Sequence, residues 1–112
     1  MAASGIRSIR WGLESSLIRK NFHKSPEELE ILTNDANSEK FDLLKENLRA
    51  LRSKGISSKV SNEMADRFLY KKYLEEEYID LIDIDCFGCP NYLLQPAFKV
   101  LSFDGFLNIS CT

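Results

Sequence analysis

The sequence lacks most of the residue patterns on which familiar enzyme sites are built. Its 112 residues contain one histidine, three cysteines and five glycines. They show no nucleophile elbow of the Gly-x-Ser-x-Gly type, no Walker loop and no Gly-rich dinucleotide turn. The histidine, His23, lies in a basic, polar segment that favours a solvated linker residue over a general base. We therefore predict no catalytic residue, no bound cofactor and no enzymatic activity.

Metal-ligand and redox patterns are also incomplete. Cys86-Phe87-Gly88-Cys89 has the spacing of a redox pair or of half a zinc site. A tetrahedral zinc site needs four ligands, and the other candidates, Cys111 and His23, are distant in the sequence. We therefore predict no metal site, and we expect buried, inert cysteines.

Long apolar runs are missing as well. Without a run of about 18 apolar residues, the sequence predicts neither a transmembrane helix nor a secretory signal, and we expect an intracellular protein of the cytoplasm or nucleus. Residues 1–24 are basic and nearly free of acids, and one helical stripe of this segment holds Ile6, Ile9, Leu13 and Leu17. The pattern is typical of an amphipathic helix docked on the domain, and also of a mitochondrial presequence. The mitochondrial matrix is therefore the alternative location.

Charge is distributed in blocks, although the formal net charge is only −2. Residues 40–74 hold nine basic and four acidic side chains, whereas residues 75–85 hold six acidic side chains and no basic one. The sequence pI of 5.4 disfavours a duplex-binding domain. Alternating blocks favour solvated helix faces that meet oppositely charged neighbours. As an alternative, residues 40–74 form a basic stripe that contacts RNA through Arg49 and Arg52.

Apolar periodicity predicts a mainly α fold. We expect a small antiparallel bundle of three to four helices, with a short C-terminal β-hairpin or an extended tail. The first helix lies in residues 1–24. A second should begin at the capping box Ser25-Pro26-Glu27-Glu28 and carry Leu29, Ile31 and Leu32.

Two further helices complete the predicted bundle. One runs from about Glu39 to Lys54, with Gly55 placed to end it, and its apolar stripe is Phe41, Leu44, Leu48 and Leu51. The other should start near Ser57 or Ser58 and run to about Tyr78. Its predicted buried side chains are Val60, Met64, Phe68, Leu69 and Tyr73.

The chain divides by composition into three parts. They are a basic amphipathic segment (1–24), a helical core (25–85) and an apolar tail rich in cysteine and aromatics (86–112). Residues 82–86 alternate with a period of two, and residues 100–109 mix β-branched and aromatic residues, which predicts a two-stranded element or hairpin. Asp104-Gly105 within the second run favours a β-turn. The tail packs on the core or forms an exposed surface, in which we place the partner-binding residues Phe98, Phe103, Phe106 and Leu107.

A short segment of this tail carries a family resemblance. Leu101-Ser102-Phe103-Asp104-Gly105-Phe106-Leu107-Asn108-Ile109 resembles the second half of the first Sm motif. The resemblance implies that Asp104, Phe106 and Asn108 contact a base of single-stranded RNA. The sequence departs from the motif at Lys99, where a glycine is expected.

Taken together, the apolar tail and the charge blocks favour a non-enzymatic protein–protein interaction module. We expect an adaptor, an assembly factor or a small subunit, with a protein partner or a second copy of the chain bound to it. The second hypothesis is an RNA-associated module that uses the basic stripe or the Sm-like segment at 101–109. The third is a mitochondrial assembly factor.

Overall fold

The computed structural model describes residues 5–21 and 29–112, which adopt a mixed α/β fold. These ranges contain four α-helices and four β-strands, and the strands pair into two two-stranded parallel sheets. The chain divides into two compact units, an N-terminal unit that ends at Asn62 and a C-terminal unit, Glu63–Thr112. None of the helices in the described ranges has the length and apolar content of a membrane span. The predicted mainly α bundle is wrong, because segments expected to be helices or a hairpin pair as parallel strands.

The N-terminal unit contains a strand–helix–strand motif preceded by a helix. Its elements are α1 (Ile6–Asn21), β1 (Glu30–Asn34), α2 (Phe41–Ser53) and β2 (Ser57–Ser61). β1 and β2 are parallel neighbours, and their register runs from the pair Glu30 and Ser57 to the pair Asn34 and Ser61. Parallel strands need a long crossover connection, which α2 supplies. Both strands therefore end at the same edge of the sheet.

The helix predicted over residues 39–54 is confirmed. α2 covers Phe41–Ser53 and is preceded by a single 3-10 turn, Ser38–Lys40. Leu44, Leu48 and Leu51 of the predicted stripe are buried. Their spacing of four and three residues places them on one helix face, so the burial follows directly from the sequence pattern.

The end of α2 also follows from the sequence. Gly55 has a φ of +77°, a conformation that side-chain-bearing residues rarely adopt. Its N–H donates to the carbonyl of Arg52, and the N–H of Ile56 donates to the carbonyl of Leu51, both at 3.0 Å. These two bonds form a Schellman cap, which ends the helix and brings Ile56 into the core beside Leu51.

β1 and β2 replace parts of the predicted second and fourth helices. The capping box at residues 25–28 lies outside the described residues, and β1 begins at Glu30. In β2, Ser58 is buried and Val60 is half-buried, whereas Lys59 between them is exposed. This alternation is that of a strand. Five residues are too few for periodicity to separate a strand from a helix, and parallel pairing decides between them.

The remainder of the predicted fourth helix is shorter than expected. The C-terminal unit begins with α3 (Ala65–Leu74), which follows an extended residue, Met64. Leu69 is buried as predicted. Met64 and Tyr73 are 55% and 38% exposed, so the prediction that they are buried is wrong.

The C-terminal unit repeats the strand–helix–strand arrangement. β3 (Ile79–Cys86) and β4 (Leu101–Cys111) are parallel, and α4 (Asn91–Val100) connects them. The alternation in residues 82–86 predicts β3 correctly, but the antiparallel hairpin is wrong because α4 intervenes. Pro96 lies inside α4 and is buried there. Because proline normally breaks a helix, the sequence pattern does not predict α4. The buried residues of this core are Leu69, Ile82, Ile84, Cys86, Leu93, Ala97 and Val100.

β4 contains an irregular stretch near its start. Ile79 pairs with Leu101 and Leu81 pairs with Phe106, so five steps along β4 match two along β3. Asp104 has a φ of +60°. A Cβ atom on Gly105 would lie 2.8 Å from the carbonyl oxygen of Ser102. The turn predicted at Asp104-Gly105 is therefore a bulge within one strand.

The packing of α1 on the N-terminal unit depends on Gly12. A Cβ atom at this position would lie 2.7 Å from Cδ2 of Leu51 and 3.5 Å from Cγ1 of Ile31. Leu51 is fully buried and has little room to move. We expect Gly12→Val to lower the free energy of unfolding by about 1–3 kcal/mol, measured by urea denaturation.

The matched control for this experiment is Leu17→Val. Leu17 lies on the same helix but is 62% exposed. We expect this change to alter stability by less than about 0.5 kcal/mol. Equal destabilisation by the two variants would contradict the close packing of α1 at Gly12.

Candidate functional site

Polar side chains collect at the carboxyl ends of the strands. In α/β proteins with parallel strands, ligands bind at this edge of the sheet. In the N-terminal unit we define the β1–β2 edge group as Asn34, Asp35, Asn37, Ser61 and Asn62. In the C-terminal unit we define the β3 turn as Asp85–Cys89.

Asp35 organises the β1–β2 edge group. It is 4% exposed, and its backbone N–H donates to the carbonyl of Ser61 at 3.2 Å. Its carbonyl accepts from the side-chain amide of Asn62 at 2.8 Å. Its Oδ1 accepts from the N–H of Asn37 at 2.8 Å, and Asn37 Oδ1 accepts from the N–H of Glu39 at 3.0 Å. A buried carboxylate is thus held by the backbone at the edge where β1 and β2 end.

The last residues of β1 add further polar groups to this edge. Asn34 Oδ1 accepts from the hydroxyl of Ser61 at 2.8 Å. Thr33 is 2% exposed, and within the described residues its Oγ1 has no hydrogen-bond partner. An unpaired buried hydroxyl costs about 1–3 kcal/mol of stability.

The β3 turn combines an acid, an exposed aromatic ring and an open glycine. Asp85 is half-buried near the end of β3, and Phe87 is 79% exposed. Gly88 has a φ of +77° with open space around it. The N–H of Gly88 donates to the carbonyl of Thr112 at 2.9 Å, and the N–H of Thr112 donates to the carbonyl of Cys86 at 3.3 Å. The backbone of the turn is therefore tied to the end of β4, while the Phe87 ring is left in solvent.

A second polar feature lies on the face of β3 opposite its apolar core. Asp83 and Asp85 alternate along the strand with the buried Ile82 and Ile84. Asn108 of β4 lies opposite Asp83, and its Nδ2 donates to Asp83 Oδ1 at 2.8 Å. This cross-strand bond fixes the strand pairing two residues before the β3 turn.

The residues predicted to bind a protein partner differ in exposure. Phe98 on α4 is 63% exposed. Phe103 and Phe106 on β4 are 97% and 61% exposed. Leu107 is half-buried and packs against the core of the C-terminal unit. Much of the aromatic content of the tail is therefore surface, whereas Leu107 belongs to the core.

The residues predicted to contact RNA lie in both units. Arg49 and Arg52 are exposed on α2. Asp104 and Phe106 are exposed on β4, where the Sm-like segment forms a strand parallel to β3. The amide of Asn108 donates to a carboxylate of β3, which gives that side chain a partner within the fold.

Part of the basic stripe is paired within the chain. Lys59 forms an ion pair with Glu30 at 2.6 Å. Lys72 contacts Glu77 at 2.6 Å and Glu75 at 3.4 Å. The hydrogen bond to Glu77, followed by that to Glu75, raises the pKa of Lys72 in spite of its partial burial. These lysines offer less free positive charge to RNA than the composition of the stripe indicates.

The cysteines are free thiols. Cys86 is buried, and Cys89 and Cys111 are exposed. Over residues 5–21 and 29–112, no group of three or more histidine, cysteine, aspartate or glutamate side chains is arranged to hold a metal ion. His23 lies outside the described residues.

The strand topology and the two polar groups at the strand ends are those of α/β proteins that bind ligands at the carboxyl edge of a sheet. Parallel strands linked by helices, with acidic side chains where the strands end, are the arrangement by which α/β enzymes bind nucleotides and related ligands. Asp35 and Asp85 occupy such positions in their respective units.

Similarity to known proteins identifies the family. Residues 1–112 match the family described as N2,N2-dimethylguanosine tRNA methyltransferase, and the chain belongs to this family. It is 30% identical over 112 residues to a tRNA (guanine(26)-N(2))-dimethyltransferase of Pyrobaculum islandicum and 31% identical over 114 residues to one of Homo sapiens. In both cases all of the chain is covered, but it spans 27% of the archaeal relative and 15% of the human one.

Family membership corrects the predicted function. The predictions of a non-enzymatic adaptor and of a protein partner are wrong, because the family and its relatives are named as enzymes that modify tRNA. The enzyme patterns that the sequence lacks belong to nucleophilic, phosphate-binding and metal chemistry. Methyl transfer to a nucleobase depends on positioning two substrates and requires none of these patterns.

The sequence does contain signals for both candidate groups. The apolar pair Ile31-Leu32 is followed within three residues by Asp35, and Asp85 is the next-to-last residue of the alternating strand β3, just before Cys86 and the Phe87-Gly88 turn. An acid at the end of a strand is a better indicator of a nucleotide-binding edge than its membership of a charge block. Asp85 belongs to the acidic block 75–85, but its position is that of a strand end.

Proposed function

We propose that this chain forms part of a methyltransferase that acts on a guanine of tRNA. The observation that carries the proposal is the match of all 112 residues to the N2,N2-dimethylguanosine tRNA methyltransferase family. The two acidic strand ends support it, since such a reaction needs one site for a methyl donor and another for a base. The exposed Arg49 and Arg52 remain proposed contacts to tRNA phosphates.

The chemistry sets what the chain must supply. S-adenosylmethionine, the donor that the family implies, provides an electrophilic methyl group on sulfur. Guanine N2 forms a bond to the methyl carbon, the carbon–sulfur bond breaks with its electrons passing to sulfur, and N2 loses one proton per methyl group. An exocyclic amine is a poor nucleophile while its lone pair is delocalised into the ring. A nearby oxygen acceptor for its N–H groups therefore favours the transfer.

We place the guanine at the β3 turn. Enzymes that modify a base take it out of the stack, read its edge by hydrogen bonds and hold it against aromatic side chains. The 79% exposed ring of Phe87 provides a stacking surface, and Asp85, two residues earlier, provides a carboxylate that can accept from the exocyclic amine. The backbone hydrogen bonds between Gly88 and Thr112 and between Thr112 and Cys86 keep the turn in place.

We place part of the donor site at the β1–β2 edge group. Acidic side chains at the ends of parallel strands hydrogen-bond ribose hydroxyls in nucleotide-binding folds. Asp35 fits this role because its carboxylate is fixed at such an edge through Oδ1 and the N–H of Asn37. Asn34 directly precedes Asp35 and is paired in register with Ser61, and the side chains of Asn34 and Ser61 bond to each other.

The guanine position is tested by tRNA binding to the full chain. The experiment compares a tRNA transcript that carries guanine at position 26, the position in the names of the relatives, with a transcript that carries adenine there. Phe87→Ala should weaken binding of the guanine transcript by about 1–3 kcal/mol, the value of one base–aromatic stack. Asp85→Asn should reduce the preference for guanine over adenine, because a carboxylate can accept from both N1–H and the exocyclic amine of guanine, whereas N1 of adenine carries no proton and can accept from an amide.

Two further variants serve as controls in the same assay. Phe103→Ala removes a phenylalanine that is 97% exposed outside the β3 turn, and it should leave binding unchanged. Arg49→Ala should weaken binding of both transcripts equally, because phosphate contacts carry no sequence information. Equal effects of Phe87→Ala and Phe103→Ala would contradict the placement of guanine at the β3 turn.

The donor position is tested by titration calorimetry with S-adenosylhomocysteine, the product form of the donor. Asp35→Asn keeps an oxygen for the N–H of Asn37 and so preserves the local turn. It should nevertheless weaken binding by about 1.5–3 kcal/mol through loss of a charged acceptor. Asp42→Asn changes an exposed acid in the first turn of α2 and is the matched control. Equal affinities for the two variants would contradict a role for Asp35 in donor binding.

The proposed substrate places the protein inside the cell, where tRNA is made and used. We further propose the cytoplasm or nucleus, because α1 packs through Gly12 on Leu51 as part of the folded unit. A reporter fused to residues 1–24 should then remain diffuse when expressed in cells. Import of the reporter into mitochondria would overturn this assignment and favour a presequence.

A further inference from the structure

The cysteines of the C-terminal unit lie at the carboxyl edge of its sheet. Cys86 ends β3 and Cys111 ends β4, and the two residues are paired in register. Cys89 follows in the β3 turn. The sequence has three cysteines, so its whole thiol content lies at this edge.

The strand register brings the backbones of Cys86 and Cys111 within reach of a disulfide. Neighbouring strands lie about 4.7–4.9 Å apart, and a disulfide needs Cα atoms about 4.4–6.8 Å apart. Paired residues of parallel strands point their side chains to the same face of the sheet. Two hydrogen bonds hold this end of the strand pair together: the N–H of Thr112 donates to the carbonyl of Cys86, and the N–H of Gly88 donates to the carbonyl of Thr112.

The two thiols differ in access. Cys86 is 7% exposed, whereas Cys111 is exposed to solvent. A small disulfide can therefore reach Cys111 first, and Cys86 can then resolve the mixed disulfide from inside the fold. Cys89 is exposed too, but it lies beyond the paired strands and no register fixes it beside either thiol.

We propose that Cys86 and Cys111 form a reversible dithiol–disulfide site, oxidised by exchange with a small disulfide such as oxidised glutathione. The Cys111 thiolate attacks one glutathione sulfur and releases the first glutathione. The Cys86 thiolate then attacks the Cys111 sulfur and releases the second. The two cysteines lose two protons and two electrons in total, and one glutathione disulfide is reduced to two thiols.

The disulfide acts directly on the β3 turn. Cys86 immediately follows Asp85 and precedes Phe87, so a bond from Cys86 to β4 restrains the backbone on which both side chains are placed. The hydrogen bonds that join Gly88 and Thr112 and Thr112 and Cys86 must break for this end of the sheet to open, and a Cys86–Cys111 bond opposes that opening. The chemistry of the dithiol site is independent of the proposed function. The effect of the disulfide on guanine binding, in contrast, rests on the proposed function.

Peptide mapping of the full chain tests the site. The chain is equilibrated with oxidised and reduced glutathione, alkylated and digested with trypsin. Cleavage after Lys72 and Lys99 leaves Cys86 and Cys89 in one peptide, 73–99, and Cys111 in another, 100–112. A Cys86–Cys111 bond therefore joins the two peptides and lowers the intact mass by two hydrogens. A Cys86–Cys89 bond leaves them separate.

Three variants assign the bond. Cys89→Ser should still give joined peptides, whereas Cys111→Ser and Cys86→Ala should give none. Joined peptides that persist in Cys86→Ala, separate peptides in the unmodified sequence, or glutathione adducts alone would each overturn the proposal. None of these outcomes bears on donor or tRNA binding by the reduced chain, so the proposed function is judged separately.

Hydrogen exchange then measures the effect on the turn. Oxidation should slow exchange at the amides of Gly88 and Thr112 by about tenfold or more, since a cross-link suppresses local opening. Exchange within α3 should not change. Equal rates at Gly88 in the oxidised and reduced chains would show that the disulfide does not restrain the turn.

Discussion

Parallel strand pairing is the constraint on which the rest of this structure depends. Two parallel strands can share hydrogen bonds only if the chain returns along the sheet through a crossover, and in each unit one helix provides it: α2 between β1 and β2, and α4 between β3 and β4. The same constraint places the carboxyl ends of paired strands at one edge. Asp35 and Asp85 reach their positions through topology, without a dedicated binding loop.

Sequence patterns predict those elements whose local signals are long or complete. Three leucines at helical spacing and Gly55 at its end define α2, and a strict alternation of isoleucine and aspartate defines β3. In both cases the apolar residues of the pattern, the leucines of α2 and Ile82 and Ile84 of β3, are also buried. Local and tertiary preferences agree, so no knowledge of the neighbouring elements is needed.

The other elements depend on partners that are distant in sequence. β1 and β2 have five residues each, too few for periodicity to separate a strand from a helix. β2 also contains three serines and therefore has no apolar face that would predict a strand. α4 contains Pro96 and follows the Gly88 turn, features that normally end helices. The candidate site follows from the sequence only in part, for the same reason. Each acid comes near the end of an apolar pattern, but parallel pairing is what places Asp35 and Asp85 at the carboxyl edge of a sheet.

The bulge in β4 has a consequence for how the C-terminal unit is joined. α4 ends at Val100 and β4 begins at Leu101, so no linker separates the helix from the strand. The extra residues between Leu101 and Phe106 take up the offset that a linker would otherwise absorb. This short excursion acts as a spacer, since its length determines which β4 side chains face the core and which face Asp83. The number of residues between Leu101 and Phe106 therefore determines which β4 side chains join Asp83 on the polar face of the sheet.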